Sequence, residues 1–328
     1  MSGNKDDRSL PAKLNIFTHI YRLFYGNKSL DDKKKISGWL MLLPVIPAFM
    51  LVIIFPAVMG IIQSFTDAGI AAMAAGIGSE FFEIVNFTGI SNYIELFTDA
   101  EFWEITFRTF LLVFLAVFLQ YVSGLVLALL LDEELKGFRW FKNVVMLPWV
   151  VPVASMVVIF NWMTAPNYGV VNMLLESAGM EHLTTNWFGS ITFAFPIIII
   201  MHVWRNMPFY ALTLFAGLSA IPQIQYEAAE VDGASAWQKF RHITLPNLKY
   251  PSMVVIVLHV LWTFNNFDII YLSTGGGPVG TTEVLATEVY DLAWDLNLMG
   301  QAAAMGVIMM LVMMLFSGLY MKLVGGDV

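Results

Sequence analysis

Six apolar stretches, each about 20 residues or longer, dominate the sequence and restrict the folds open to it. A run of that length with few charges can cross a bilayer as an α-helix, and a water-soluble body cannot hide six of them. Of the 328 residues, 58% are hydrophobic and only 13% are charged, about half the charged share of a soluble domain. The sequence therefore predicts an all-α polytopic membrane protein, and it excludes a soluble globular domain, a disordered chain and a nucleic-acid-binding protein. The six predicted spans cover residues 38–65, 109–131, 144–163, 191–218, 252–273 and 302–323.

Lysine and arginine are distributed unevenly among the segments that connect these spans. Eight precede the first span, three lie in each of the second-to-third and fourth-to-fifth connections, and one, Lys322, lies at the C-terminal end of the last span. The other two, Arg108 and Arg205, fall at or inside spans, and the remaining three loops contain neither residue type. Because cytoplasmic loops carry the excess of Lys and Arg, we expect both termini to lie in the cytoplasm.

The first 37 residues form a charged arm, and no small-residue cleavage site follows it, so the first span is expected to be retained. Within residues 11–25, Leu14, Phe17, Tyr21 and Phe24 recur at helical spacing between polar residues. That pattern predicts a helix lying on the inner membrane surface. A loosely ordered basic arm is the alternative. Residues 38–328 then constitute the membrane domain.

The connection between spans four and five, residues 222–246, has the strongest local signals in the sequence. Pro222 ends the fourth span, and residues 223–231 are good helix formers. Gly233 suits the left-handed conformation that ends a helix and turns the chain. The sequence thus predicts one short helix, a turn and then a second short helix facing the cytoplasm.

The second of these helices is expected from about residue 234 to residue 243, with Leu245-Pro246 ending it. Trp237, Phe240 and Ile243 recur at intervals of three and share one face. Ala228 and Ala229 in the first helix are small enough for close approach by another protein. Glu227 in this helix and Asp232 just after it offer carboxylates to a basic partner. An amphipathic connector packed on its own helix bundle is the alternative.

This segment closely resembles the EAA signature of permease subunits in binding-protein-dependent ABC importers. The signature reads Glu-Ala-Ala, three residues on Asp-Gly-Ala, then Phe and Leu-Pro, and the match here has no gaps. The resemblance implies that residues 222–246 form a coupling segment that docks in a cleft of a cytoplasmic ATPase, with Glu227 pairing a basic residue there. The implied coupling residues are Glu227, Ala228, Ala229, Asp232, Gly233, Ala234, Trp237, Phe240, Leu245 and Pro246.

Further elements extend the resemblance over most of the chain beyond the arm, in the pattern of carbohydrate importers of the maltose-transporter type. They include Gly89–Tyr93 (with Ile90 in place of the usual Leu), Gly137–Arg139, Gly169–Asn172, Gly275–Pro278 and Gly300–Ala304. The resemblance implies one permease subunit of an ATP-driven importer in the bacterial inner membrane, forming half of a path for a sugar or a related polyol or oligosaccharide. It implies as partners a second permease subunit, two copies of an ATPase that binds ATP and Mg²⁺, an external solute-binding protein and membrane lipid.

Motifs for chemistry within this chain are missing. The sequence has no Gly-x-x-x-x-Gly-Lys-Ser/Thr loop, no His-Glu-x-x-His pair and no Gly-x-Ser-x-Gly elbow. It has no cysteine, and its five histidines are scattered, so neither a thiolate site nor a metal site is expected. The chain is therefore predicted to be a non-catalytic subunit without a cofactor of its own.

Polar side chains inside the fourth and fifth spans are candidates for the substrate path, because a charge at mid-bilayer costs about 2.5–3.5 kcal/mol and needs a reason. On each helix they share an arc of about 100–120°, with Asp268 just beyond it, and an aromatic ring beside amide groups suits a sugar. Buried polar residues also hold membrane helices together, which is the alternative. The candidates are His202, Arg205 and Asn206 in span four, and His259, Trp262, Asn265, Asn266 and Asp268 in span five, with Trp149 and Asn161 as weaker ones.

Two other classes of function remain as alternatives. An ion-coupled secondary carrier of small polar solutes needs carboxylates within the membrane, and only Asp268 is a loose candidate. A membrane-embedded enzyme needs a converging catalytic set in the spans, which the sequence does not present.

Overall fold

The computed structural model describes residues 39, 42–71, 85–132 and 144–324, and it is helical throughout these ranges apart from turns, loops and an isolated bridge between Thr66 and Phe87. The helix predicted for residues 11–25 lies outside the described residues. The helices are α1 (Val45–Gln63), α2 (Ser91–Thr98), α3 (Ala100–Asp132), α4 (Leu147–Val150), α5 (Val153–Met163), α6 (Val170–Ser177), α7 (Ala194–Ser219), α8 (Gln223–Val231), α9 (Ala236–Asn247), α10 (Lys249–Phe264), α11 (Asp268–Ser273), α12 (Leu285–Tyr290) and α13 (Met299–Val324).

The chain divides into two compact units, Met1–Ile62 and Gln63–Val328. Most of α1 belongs to the first unit. Its middle turn, Met50–Ile54, is a wide π-helical turn that comes just before the Phe55-Pro56 pair. Because proline has no N–H for the bond to the residue four positions back, the wider turn lets the helix continue past Pro56.

Among the described residues, α1, α3, α7 and α13 are long and apolar enough to cross a bilayer, and a fifth span results if the bent pair α9–α10 is counted as one. The predicted second, fourth and sixth spans correspond to α3, α7 and α13. The count of six spans stays a prediction.

The predicted third and fifth spans are interrupted rather than continuous. The third consists of α4 and α5, separated by Val151 and Pro152, which both have extended backbone conformations. A residue before proline is pushed out of the helical region, so the break follows from Pro152. The fifth consists of α10 and α11, separated by residues 265–267.

The second unit is organised around α3, which packs along α7 and also contacts α10. Gly124 allows the close approach of α3 and α7, since a Cβ atom there would lie 2.3 Å from the Cβ of Tyr210. Small residues serve this purpose at helix interfaces in membranes, where packing rather than water exclusion drives association. Gln120 of α3 adds a hydrogen bond from its Nε2 to the backbone oxygen of His202, at 3.1 Å.

Two apolar clusters on either side of α3 form most of the described core. The first joins α3 to α2, α10, α12 and α13, and the second joins α3 to α5, α7 and α11. Representative buried members are Phe102, Ile105, Phe264 and Met305 in the first cluster and Leu112, Met156, Ile198 and Ile270 in the second.

Candidate functional site

The first helix of the coupling segment ends as the sequence predicts. Gly233 has a φ of +76°, and its N–H donates to the backbone oxygen of Glu230 at 3.0 Å. The N–H of Ala234 donates to the oxygen of Ala229 at 2.8 Å. This pair of bonds is the Schellman ending, which satisfies the last carbonyls of α8 and reverses the chain.

The second helix differs from the prediction at its far end. The helix α9 starts at a capping box, in which Ser235 N–H donates to Gln238 Oε1 at 2.7 Å. It was expected to end at Leu245-Pro246 but continues to Asn247, and a bend of 63° then leads into α10. As in α1, a π-helical turn, here Phe240–Thr244, precedes the proline and accommodates its missing N–H.

Three side-chain contacts fasten α8 to α9. The hydroxyls of Tyr226 and Thr244 are 2.9 Å apart, and Lys239 Nζ donates to Glu230 Oε1 at 2.6 Å. Asn247 Nδ2 donates to Gln225 Oε1 at 3.1 Å. The two short helices are therefore held as one body, although neither is long enough to be stable by itself in water.

The opposite face of α8 is exposed and partly apolar. Ile224 is 66% exposed and Val231 is 88% exposed, and both lie on the same side of the helix as Glu227. On α9, Trp237 is 65% exposed, with its ring 5.5 Å from that of Phe240. Exposed apolar groups clustered around a carboxylate are typical of a protein-docking surface.

The structure brings the ten predicted coupling residues together on these two helices and the turn between them. Ile224 and Val231 were missed, although their spacing of seven around Glu227 is readable from the sequence. The exposed predicted residues are Glu227, Ala228, Asp232, Gly233, Trp237 and Pro246, and the half-buried ones are Ala229, Ala234, Phe240 and Leu245.

In the membrane helices, three aromatic groups surround Phe209 of α7. Its ring centroid is 5.9 Å from that of Trp149, 5.4 Å from that of His259 and 5.8 Å from that of Trp262. Trp262 is 51% exposed, so the cluster borders open space. Phe209 lies on α7, which carries the first group of predicted polar residues, and contacts His259 and Trp262 of the second group. It was not predicted because only polar residues and tryptophan were considered.

Through His259, this cluster adjoins a buried polar group made of side chains from α3, α7 and α10. His202 and His259 are almost completely buried, and the ring of Tyr210 is 4.4 Å from that of His259. Among the described residues, several of their atoms have no hydrogen-bond partner. These atoms are Gln120 Oε1, His202 Nε2, Tyr210 Oη and both ring nitrogens of His259.

The other predicted path residues are already engaged within the protein. Arg205 Nη1 donates to the backbone oxygen of Val151, at the break between α4 and α5. Asn206, Asn265 and Asn161 each bond a backbone oxygen one helical turn back. Asn266 Oδ1 accepts from the N–H of Ile269 at 3.3 Å and so caps α11. Asp268 is exposed at the start of α11.

Taken together, the geometry defines a helical membrane protein with an aromatic and polar centre in its span region and a rigid helix pair with an exposed docking face. Residues 120–326 match the family described as the inner membrane component of binding-protein-dependent transport systems. The match covers more than half of the chain, and this protein therefore belongs to that family.

Individual relatives agree with this family over nearly the whole chain. The chain is 35% identical to the trehalose/maltose transport system permease protein MalF of Thermococcus litoralis, covering 87% of this chain and 92% of that protein. It is 32% identical to the sulfoquinovosyl glycerol transport system permease protein SmoG of Agrobacterium fabrum, with 90% and 92% covered. It is 30% identical to the diacetylchitobiose uptake system permease protein DasB of Streptomyces coelicolor, with 88% and 87% covered.

The fold is also that of a solved transporter chain. A bacterial ABC transporter involved in the import of the acidic polysaccharide alginate matches with a TM-score of 0.75, at 23% identity, over 90% of this chain and 96% of that chain. At this level of identity the similarity concerns the fold alone.

Proposed function

We propose that this chain is one permease subunit of an ATP-driven importer for a sugar or a related polyol or oligosaccharide. In this role it forms half of the translocation path and carries no catalytic site. ATP and Mg²⁺ are bound by a partner ATPase, present in two copies. A second permease subunit and an external solute-binding protein complete the assembly in the bacterial inner membrane.

The substrate class rests on the relatives and on the chemistry of the membrane site. The three relatives are named for trehalose or maltose, for a sulfoquinovosyl glycerol and for diacetylchitobiose, all of them carbohydrates or their derivatives. The exposed ring of Trp262, next to Phe209 and Trp149, offers the apolar face on which a sugar ring stacks.

Next to this aromatic wall, the atoms of Gln120, His202, Tyr210 and His259 that have no partner among the described residues offer hydrogen bonds. A buried polar atom without a partner is costly, and hydroxyl groups or water entering from the aromatic side would satisfy it. Arg205 is already bonded to Val151, so we assign it to holding the broken third span and not to contacting the substrate.

The observation that carries the coupling role is the exposed face of α8 on a helix pair that is fastened internally. A force applied at Glu227, Ile224 and Val231 passes through the Tyr226–Thr244 and Glu230–Lys239 contacts into α9. From α9 it passes across the bend at Leu248 into α10, which carries His259 and Trp262. An ATPase that moves the coupling segment would in this way move one wall of the path.

The test replaces Glu227 by alanine in the complete transporter, reconstituted in lipid vesicles with its ATPase, second permease and binding protein. Glu227 is exposed and forms no ion pair with the described residues, so Glu227→Ala should leave insertion and folding intact. The same replacement should abolish transport-linked ATPase activity and uptake. The matched control is Glu181→Ala, an equally exposed glutamate outside the coupling segment.

The control should retain both activities at the level of the unmodified transporter. Normal ATPase stimulation and normal uptake with Glu227→Ala would contradict the coupling role. The alternative of an ion-coupled carrier finds no support in the family match, and its candidate ion ligand Asp268 is exposed at the start of a short helix.

A further inference from the structure

Three carboxylates converge in the segment between α11 and α13. Glu283 precedes α12, Glu288 lies within it and Asp291 begins the π-helical turn that follows. One carboxylate oxygen from each residue lies within 4.8 Å of the other two. Glu288 and Asp291 are three residues apart on continuous helix, so both point to the side on which Glu283 lies.

Glu283 supplies an independent sign of a missing ligand. Its side chain is only 8% exposed, and its Oε1 has no hydrogen-bond partner among the described residues. Buried carboxylate oxygens are normally paired with a donor or coordinate a metal ion, because an unpaired buried charge is very unfavourable. A bound cation would satisfy this oxygen, for which the described residues provide no donor.

The surrounding charges do not neutralise the cluster. The nearby Arg108 donates its Nη1 to the backbone oxygen of Glu283, at 2.9 Å. The ion pair between Lys239 and Glu230 is remote, and none in the described ranges involves the three carboxylates. Burial, and to a lesser degree the neighbouring carboxylate of Glu283, raises the pKa of Glu288 to about 7. Burial likewise raises the pKa of Glu283 to about 7.

We propose that Glu283, Glu288 and Asp291 form a binding site for a hard divalent cation, with Ca²⁺ as the best-fitting ion. Two oxygens that each lie about 2.4 Å from a Ca²⁺ ion can be separated by up to about 4.8 Å, and the three carboxylate oxygens are close enough together to share one such ion. Three carboxylates supply up to six oxygens, and Ca²⁺ accepts six to eight in flexible geometry. The scattered histidines that argued against a metal site have no bearing on a site made of carboxylates.

Contacts around the cluster indicate what the ion does. The N–H of Leu285 donates to Thr109 Oγ1 of α3 at 2.9 Å, next to the Arg108 bond. The loop residue Gly276 leaves room for the Glu283 carboxylate, since a Cβ atom at this position would lie 1.6 Å from Glu283 Oε2. A cation would therefore join the loop after α11, the helix α12 and the first half of α3 into one rigid unit at the far end of α10 from the coupling segment.

The test measures Ca²⁺ binding to the purified full-length chain in detergent, by equilibrium dialysis with ⁴⁵Ca²⁺ and by thermal unfolding followed through tryptophan fluorescence. One Ca²⁺ per chain should bind, and CaCl₂ should raise the unfolding temperature. Glu288→Gln and Asp291→Asn should each weaken binding by about tenfold or more, because each removes a charged ligand. Both replacements preserve side-chain shape, and size-exclusion chromatography checks that the variants stay folded.

The matched control is Glu104→Gln, which removes an exposed carboxylate from α3 outside the cluster and should leave Ca²⁺ binding unchanged. Absence of Ca²⁺ binding at millimolar concentration would overturn the proposal. Binding that persists in both cluster variants, or that weakens equally in the control, would overturn it too. The measurement requires no transport and no partner subunit, so its result is independent of the proposed import function.

Discussion

At the scale of single residues, a buried polar side chain that is hydrogen-bonded within the protein is assigned a structural role. A buried polar side chain without such a bond is a candidate for contacting a ligand. Asn92 is buried and donates its Nδ2 to the backbone oxygens of Ser64 and Thr66, both at 2.9 Å. Asn172 is buried and accepts from Trp187 Nε1 at 2.8 Å. Both asparagines belong to motifs that resemble those of the family, and both hold loops in place. The histidines of α7 and α10, by contrast, have ring nitrogens without a partner in the described part of the chain.

Trp262 gives a prediction at this scale. Replacing its exposed ring by leucine should raise the substrate concentration needed for half-maximal uptake by about two- to twelvefold, as expected for the loss of an aromatic contact of about 0.5–1.5 kcal/mol. Trp262→Phe keeps a stacking face and should change that concentration less. Uptake assays in vesicles, with expression checked by immunoblot, measure both variants. Equal behaviour of Trp262→Leu and the unmodified chain would show that this ring does not contact the substrate.

At the scale of elements, local signals predicted the coupling segment well. Pro222 and Gly233 mark the two ends of α8, and the structure ends the helix at the expected turn. The far end of α9 was predicted wrongly, because Pro246 is a local stop signal that the preceding π-helical turn overrides. Thr244 in this turn also contacts Tyr226, 18 residues earlier, and a local pattern does not predict such a contact.

The membrane elements show the same limit on prediction. Residues 144–163 form one apolar run, and the run conceals the break at Pro152 between α4 and α5. The break is stabilised by Arg205, which lies 54 residues away in the sequence. The exposed positions of α8 were predictable from periodicity, whereas the meeting of Phe209 with Trp149 and Trp262 depends on how three separate helices pack.

The turn between α8 and α9 gives a prediction at the scale of elements. Gly233→Pro should abolish transport-linked ATPase activity, because proline fixes φ near −65° and removes the N–H that donates to Glu230. Gly233→Asn should retain most of the activity, because asparagine tolerates the left-handed region and no atom lies within 4 Å of the added Cβ. Coupled ATPase assays on the reconstituted complex compare the two. Equal loss in both variants would mean that the glycine serves a purpose other than the turn.

At the scale of the whole molecule, the distribution of Lys and Arg predicts the side on which each segment lies. The chain contains no cysteine, so a thiol reagent labels only a cysteine that is introduced. The labelling then measures the accessibility of that one position. Ala236→Cys in the coupling segment should react with a membrane-impermeant maleimide only in inverted vesicles. Ser177→Cys, at the end of α6, should react with the same maleimide only in intact cells whose outer envelope lets the reagent reach the inner membrane. Both positions are exposed, and a reversed pattern would contradict the predicted orientation.

The internal fastening of α8 to α9 also has a consequence for the exposed side chains of the pair. The contacts that hold the pair together, Tyr226–Thr244, Glu230–Lys239 and Gln225–Asn247, all lie within residues 225–247. Side chains such as Ile224, Glu227, Val231 and Trp237 remain exposed and take no part in them. Substitutions at these exposed positions should therefore change what the helix pair can contact without repacking the membrane helices.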